Sequence, residues 1–321
     1  CFHGAGTLLA RRAIVNPLLF ERERQPLPHR HTGEAFGNKR AYVTTPWDMI
    51  LNQALERSRR ADRHGSCGVG INETVVRNER NHGLTVGDLR SSDLRARLVS
   101  IREHYVPSRC HELGIDSIPV FGEALLAHFM SDCQLFVRHT IACDDDAEVI
   151  DLYPDVVFEG AQGLRLDSHS PDFPYVTRAR TGLDNVLQIL GGSKKHREPL
   201  DVTYVTRCYT TRHGAGPLAD ELPGHPWGWS GTETNVTNEH QGALRYAKLD
   251  VRTLAAAIRG DCGFRGAWVR PSLAITCLDQ SNGAFTIEHA LDVAAQVKLP
   301  LAHVSMGPTR NHVSDVHVST T

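Results

Sequence analysis

The chain has 321 residues, which at about 100 to 200 residues per domain makes one large domain or two ordinary ones. Apolar residues are 40 % and charged residues 22 %, a balance that argues against disorder. With 35 Lys+Arg against 37 Asp+Glu the formal charge is −2, which argues against a nucleic-acid partner, since that affinity comes from surplus Lys and Arg on the phosphates.

Read in chain order, the sequence opens on Cys1 and enters at once on Gly4-Ala5-Gly6-Thr7-Leu8-Leu9, as if inside a domain, so chain upstream of Cys1 is expected. Residues 21–40, with Pro26, Pro28, Gly33 and Gly37, read as a charged loop, and the His29-Arg30-His31 cluster within it as solvated rather than metal-binding. Thr45-Pro46-Trp47-Asp48 supplies a cap, a proline at the first helical position and an early carboxylate, so a helix is predicted from there to about Arg60, with Gly65 ending it. Further helices are predicted at 92–105, 122–139, 181–190, 250–259 and 286–297. Buried strands are predicted at 155–158, 202–208, 272–278 and 301–305. Asp144-Asp145-Asp146 reads as solvated surface, and His312 and His317 as a mobile tail. Strands alternating with helices predict an α/β fold, a mainly parallel central sheet flanked by helices.

No apolar run approaches the roughly 18 to 20 residues of a membrane span, and no charged-then-apolar signal opens the chain. A soluble, cytoplasmic protein with no membrane partner is expected. The eight cysteines (Cys1, Cys67, Cys110, Cys133, Cys143, Cys208, Cys262 and Cys277) form no C-x-x-C pair and read as reduced thiols.

Three strand-like runs end in polar or glycine-rich turns: Val156-Val157-Phe158 into Glu159-Gly160-Ala161-Gln162-Gly163, Val205 to Tyr209 into Thr210-Thr211-Arg212-His213-Gly214-Ala215-Gly216-Pro217, and Ala274-Ile275-Thr276 into Cys277-Leu278-Asp279. Ligands bind at the carboxyl ends of parallel strands, and glycine there lets backbone N–H groups approach an anion. A fourth stretch, Gly65-Ser66-Cys67-Gly68-Val69-Gly70-Ile71-Asn72-Glu73, offers a hydroxyl and amides for a phosphate.

The order of these segments carries a resemblance. Phe158 to Gly163, then Leu166-Asp167 and Phe173-Pro174-Tyr175-Val176-Thr177, closely resembles the central signature of the adenylosuccinate synthetase family. Tyr209 to Pro217 resembles its next signature and Ser305-Met306-Gly307-Pro308 its final one; Gly65 to Glu73, with Gly83-Leu84 and Val86-Gly87-Asp88-Leu89, resembles an earlier nucleotide-binding segment. The likeness runs over nearly the whole chain in the family's order. It implies a fold related to the P-loop NTPases and the GTP- and Mg²⁺-dependent condensation of IMP with L-aspartate. The purine 6-oxygen is phosphorylated first, and the amine then displaces that phosphate.

Position by position, the resemblance puts Gln162 near the reacting oxygen, where a neutral amide can hydrogen-bond a developing oxyanion. Thr177 and Cys67 fall where the family holds the nucleotide 5′-phosphate with threonines; Cys67 lacks that hydroxyl, and Ser66 beside it keeps one. Asn81 stands where, in the family's homodimer, the partner subunit lends an arginine to the nucleotide phosphate, with Arg80 as its neighbouring substitute. His213 occupies a position against the ribose, with a polar filler on a strand end as the bland alternative. Asp279 matches the carboxylate that reads the N1–H and 2-amino donors of guanine, with a strand-end cap as its bland alternative, and Ser305, Gly307 and Pro308 match the loop against the same base. Arg178 and Arg180 replace small residues and could compensate for a lost phosphate contact.

The departures are as specific. The family's phosphate loop, with a catalytic aspartate and lysine, and a later histidine have no counterpart in this sequence, so the general base and a Mg²⁺ ligand are expected in a segment before Cys1, and the 321 residues alone are expected to be inactive. Cys277 replaces a lysine of the base pocket. In the amino-acid loop, Thr237 to Asp250, only Arg245 survives of the arginines that clamp the aspartate carboxylates, so another amine stands as an alternative cosubstrate. Two readings of other kinds remain: a purine-nucleotide-binding protein without catalysis, and an N-terminal nucleophile hydrolase using Cys1.

Overall fold

The computed structural model describes residues 4–26, 33–116, 118, 122–160, 162–263 and 268–316. Cys1, His29, His31, Ala161 and His317 lie outside the described residues. The chain divides into two units: Cys1–Gly160 with Thr177–Arg180 and Asp184–His196, and Ala161–Val176 with Thr181–Leu183 and Arg197–Thr321.

In the first unit the chain order is β1 (Thr7–Leu9), β2 (Ile14–Val15), α1 (Pro17–Arg24), β3 (Ala35–Asn38), β4 (Tyr42–Val43), α2 (Pro46–Ser58), α3 (Ile71–Glu79), α4 (Leu94–Ser100), α5 (Val106–Leu113), α6 (Glu123–His139), β5 (Ile141–Cys143), α7 (Asp146–Ile150) and α8 (Asp184–Gly192). Strands β1, β3 and β5 form a parallel sheet in that order, and β2 pairs with β4, also in parallel. Trp47 and Leu51 of α2 pack with Leu84, Leu98, Leu126, Phe129 and Phe136 in its core.

The predicted α2 forms for the reason its sequence gives. The Thr45 hydroxyl accepts from the Asp48 N–H, and the Asp48 carboxylate accepts from the Thr45 N–H at 2.8 Å. Asp48 has a second task, for it is buried against Arg77 of α3, whose Nε and Nη2 reach its two oxygens at 2.9 Å each. Arg77 also donates to the carbonyls of Val43 (2.7 Å) and His82 (2.8 Å), so both buried charges are satisfied.

Three expectations are corrected here. Residues 21–40 are not all loop: α1, capped by Asn16 with Pro17 at its first position, ends inside the stretch, and β3 crosses its far end. No strand forms at 155–158, where Val157 is 92 % exposed: an apolar run without a neighbouring strand has nothing to pair with. Asp146 is buried, not solvated, and accepts from the Arg11 N–H at 2.9 Å and from Asn38 Nδ2 at 2.7 Å, while Asp145 caps α7.

The second unit holds β6 (Leu200–Arg207), β7 (Tyr209–His213), β8 (Glu221–Leu222), β9 (Leu244–Lys248), α9 (Val251–Cys262), β10 (Val269–Thr276), α10 (Ile287–Val297), β11 (Leu301–Ser305) and β12 (Val313–Asp315). Its main sheet has the order β12-β11-β10-β6, with β6, β10 and β11 parallel and β12 antiparallel at the edge. The other sheet, β7-β9-β8, is antiparallel, so the predicted turn after Tyr209 begins as a strand. Leu273, Ile275, Ile258, Ala290, Leu301 and Val304 form the core. The α/β class with parallel strands and helices stands; its parallel pairing is spread over three sheets.

Candidate functional site

The glycine-rich loop before α3 is held by one face of α2. Glu56 accepts from the Gly65 N–H at 2.9 Å, Asn52 from the Ser66 hydroxyl at 3.0 Å, and Gln53 Nε2 donates to the Gly68 carbonyl at 3.1 Å. Gly65, Gly68 and Gly70 all have positive φ. At Gly70 the requirement is absolute, since φ is +82° and an added Cβ would lie 2.8 Å from the backbone of Asp48 and Met49. Such a loop opening a helix presents N–H groups and the positive end of the helix dipole to an anion. Ser66 spends its proton on Asn52 and keeps lone pairs only, whereas Cys67 is exposed.

The arginines near this loop have carboxylate partners. Arg80 forms a two-armed pair with Glu112 of α5, which holds that carboxyl down at about 2. Arg178, beside the half-buried Thr177, pairs with Glu79 at 2.8 Å, and Arg180 pairs with Asp184. Phosphate contacts through any of them would compete with these pairs.

In the second unit, parallel β6, β10 and β11 bring their carboxyl ends to one edge. There Asp279 sits exposed on a short turn, Leu278–Ser281, bracketed by Cys277 (φ +64°) and Asn282 (φ +52°). Neighbours tie the turn down: Cys208 Sγ donates to the Cys277 carbonyl at 3.1 Å, the Tyr209 hydroxyl to Gln280 Oε1 at 2.5 Å, and Asn282 Nδ2 to the Trp227 carbonyl at 2.9 Å. The Ser305 loop follows the neighbouring β11; its buried hydroxyl donates to the Gly307 carbonyl at 2.9 Å. His312, expected in a mobile tail, is ordered: its carbonyl accepts from the Met306 N–H at 3.0 Å, and its ring lies so near Gly307 that a Cβ there would be 2.7 Å away. Pro308 is exposed at the tip. A carboxylate on a fixed turn can accept two adjacent N–H groups, the donor pair guanine presents.

The same unit has an open cavity of about 490 Å³, lined by Gly214 to Gly216, Gln241 to Ala243 and Arg245. His213, next in sequence to this lining, has its Nε2 within 2.9 Å of the Gly242 carbonyl. Arg245 donates to the Gly214 and Gly216 carbonyls at 3.1 and 2.8 Å, and its Nε pairs with Glu221 at 2.8 Å. That pairing pushes the Glu221 carboxyl below its ordinary range. Thr237 is exposed and does not line this cavity. Gln162 is exposed on a bend. Ser66, Cys67, Arg80 and Thr177 thus fall in the first unit, and Gln162, His213, Arg245, Asp279, Ser305, Gly307 and Pro308 in the second.

Sequence reasoning passed over the residues that fix these loops. Asn52, Gln53 and Glu56 were recognisable as one polar face of α2, and Arg212, which ties Ala215 to Tyr175 through Nε (2.9 Å) and Nη2 (2.6 Å), as a charged residue buried next to glycine. Among the described residues no three His, Cys, Asp or Glu side chains gather to hold a metal ion.

The family model of adenylosuccinate synthetase matches residues 3–266. Adenylosuccinate synthetase of Synechocystis is 28 % identical over 323 residues, covering 97 % of this chain and 65 % of that protein. The Prochlorococcus marinus enzyme is 30 % identical over 188 residues, 57 % of this chain and 42 % of that protein. The chain therefore spans about two thirds or less of these relatives. In structure it resembles fully ligated adenylosuccinate synthetase from Plasmodium falciparum, with a TM-score of 0.71 at 14 % identity, covering 97 % of this chain and 84 % of that one. Succinoaminodeoxyadenylate synthetase of cyanophage S-2L, bound to dGMP and dATP as an energy donor, gives a TM-score of 0.57 at 15 % identity, over 97 % and 76 % of the two chains. At these identities the structural likeness speaks to the fold, and the family match to descent: the chain belongs to the adenylosuccinate synthetase family.

Proposed function

We propose that the protein is a purine-nucleotide C–N ligase that joins L-aspartate to IMP at the expense of GTP, giving adenylosuccinate, GDP and phosphate. The observation that carries the reading is Asp279 on an immobilised turn beside the Ser305–Pro308 loop, at the ends of adjacent parallel strands. In this reading Asp279 accepts from guanine, and Ser305, Gly307 and Pro308 flank the base. The loop from Gly65 to Glu73, with Ser66, Cys67, Thr177 and Arg80, holds the nucleotide phosphate; His213 lies by the ribose, and Gln162 hydrogen-bonds the purine at its reacting oxygen.

Mg²⁺ belongs to the family's reaction, but the described residues do not assemble a site for it, and no step is assigned to it here. The 321 residues are taken as an adenylosuccinate synthetase-like domain acting as a homodimer in the cytoplasm. No described helix is long and apolar enough to cross a membrane. Product formation from IMP, aspartate and GTP by the whole gene product, set beside the 321 residues alone, tests this. Product from the whole gene product is expected, and no product from either sinks the ligase reading. Selective nucleotide binding without turnover would point to a non-catalytic binder.

A second reading is favoured by one observation: the arginine retained in the amino-acid loop already faces Glu221, so the cavity offers no unoccupied fork for a dicarboxylate. The cosubstrate would then be another amine, and the cyanophage enzyme bound to dGMP and dATP widens the nucleotides to be tried.

A further inference from the structure

The turn that carries Asp279 is fastened by a chain of polar groups that begins in the loop between β8 and β9. Glu233 of that loop receives Nη1 of Arg207 at 2.8 Å and is steadied by the Asn235 N–H (3.0 Å) and Asn235 Nδ2 (2.9 Å). The same Arg207 Nη1 donates to the Tyr209 hydroxyl at 2.8 Å, and the guanidinium carbon lies 5.5 Å from the centre of the Tyr209 ring. Arginine has no acceptor, so the phenol oxygen is an acceptor on that side and its own proton must go elsewhere. It goes to Gln280 Oε1, at 2.5 Å. Arg207 thus donates both ways, to Glu233 and to Tyr209, and Tyr209 gives its own proton to the residue next to Asp279.

The setting is buried. Tyr209 is only 1 % exposed and is clad by His225 and Trp227, with ring centres 4.5 and 6.0 Å away. Burial strengthens such a chain and makes a broken link costly. A second tie runs in parallel, from Asn282 just after the turn to the Trp227 carbonyl in the same loop. Asp279 itself is exposed and takes its position from these neighbours.

We propose that Glu233, Arg207 and Tyr209 are positioning residues that hold the Asp279 turn in the geometry that selects the base, and that through them base selection depends on the order of the loop over residues 223–243. The proposal rests on the reading of Asp279 as the base-recognising carboxylate. The loop between β8 and β9 and the turn given to the nucleotide base are then one mechanical unit.

The test uses the whole gene product and its Tyr209→Phe and Glu233→Gln variants, with KM for GTP, ATP and IMP and a melting temperature measured for each. Tyr209→Phe keeps the ring and removes the proton offered to Gln280; Glu233→Gln releases Arg207 at the half-buried loop end. Both are expected to raise KM for GTP by about tenfold, the worth of one hydrogen bond of roughly 1.4 kcal/mol, and to shrink the preference for GTP over ATP by a like factor while KM for IMP stays put. Lower melting temperatures with an unchanged GTP-to-ATP ratio would show a merely structural role and overturn the proposal. Should Tyr209→Phe fail to fold, Glu233→Gln decides alone. A parent protein without preference for GTP would instead refute the reading of Asp279, and this proposal with it.

Discussion

Asp279 stays free to meet a ligand because its neighbours do the binding to the protein: Cys277, Gln280 and Asn282 all spend hydrogen bonds on fixing the turn. Asp279→Asn replaces an oxygen acceptor with a donor that faces the guanine N–H pair, and should weaken GTP use by about 1.5 to 3 kcal/mol, an effect of roughly ten- to a hundredfold in KM, without moving the melting temperature. At Arg245 the expectation runs the other way. Glu221→Gln frees the guanidinium, so the KM for aspartate should fall in a steady-state assay; an unchanged or higher KM would show that Arg245 takes no part in holding the amine. His225 adds a pH dependence. Burial first and the charge of Arg207 second push its pKa below the ordinary 6.5. Between the folded and unfolded values the unfolded chain binds more protons, so stability falls as pH drops below about 6.5. Melting curves through that window should show the slope, and His225→Phe should flatten it. None of these pairings was legible in the sequence: Asp279 and Gln162 stand out by motif, whereas Glu221 facing Arg245 depends on strand register between β8 and β9.

At the scale of elements, the phosphate-type loop and α2 and α3 form one piece. Gly70→Ala must adopt φ near +82° with a Cβ 2.8 Å from the start of α2, so it should cost at least about 1 to 2 kcal/mol by chemical denaturation. Arg77→Met leaves Asp48 buried without its partner, and a loss of about 3 to 5 kcal/mol is expected by the same measurement. The sequence showed α2 clearly because its signals are local: a threonine cap, a proline and a carboxylate within four residues. It hid α3, whose cap is Gly70 with no side chain to announce it, and α1, a short helix in a run of charge. It misplaced a strand at 155–158 because apolar content says nothing about whether a partner strand exists. Asp146 misled in the opposite sense, since its burial comes from Arg11 and Asn38, more than 100 residues away in sequence.

Across the whole chain, the class of fold was readable because strands and helices alternate, and the family because its signatures occur in order from Gly65 to Pro308, with the family model matching residues 3–266. The division into two units was not readable: over residues 161–196 successive segments alternate between the two in sequence. The most direct measurement is the rate of adenylosuccinate formation by the whole gene product from IMP and aspartate, with GTP and ATP compared as donors in the parent protein and in Asp279→Asn. The account predicts product with GTP, far less with ATP, and a preference that collapses in the variant. Equal use of the two donors, or a preference that survives in Asp279→Asn, would contradict it.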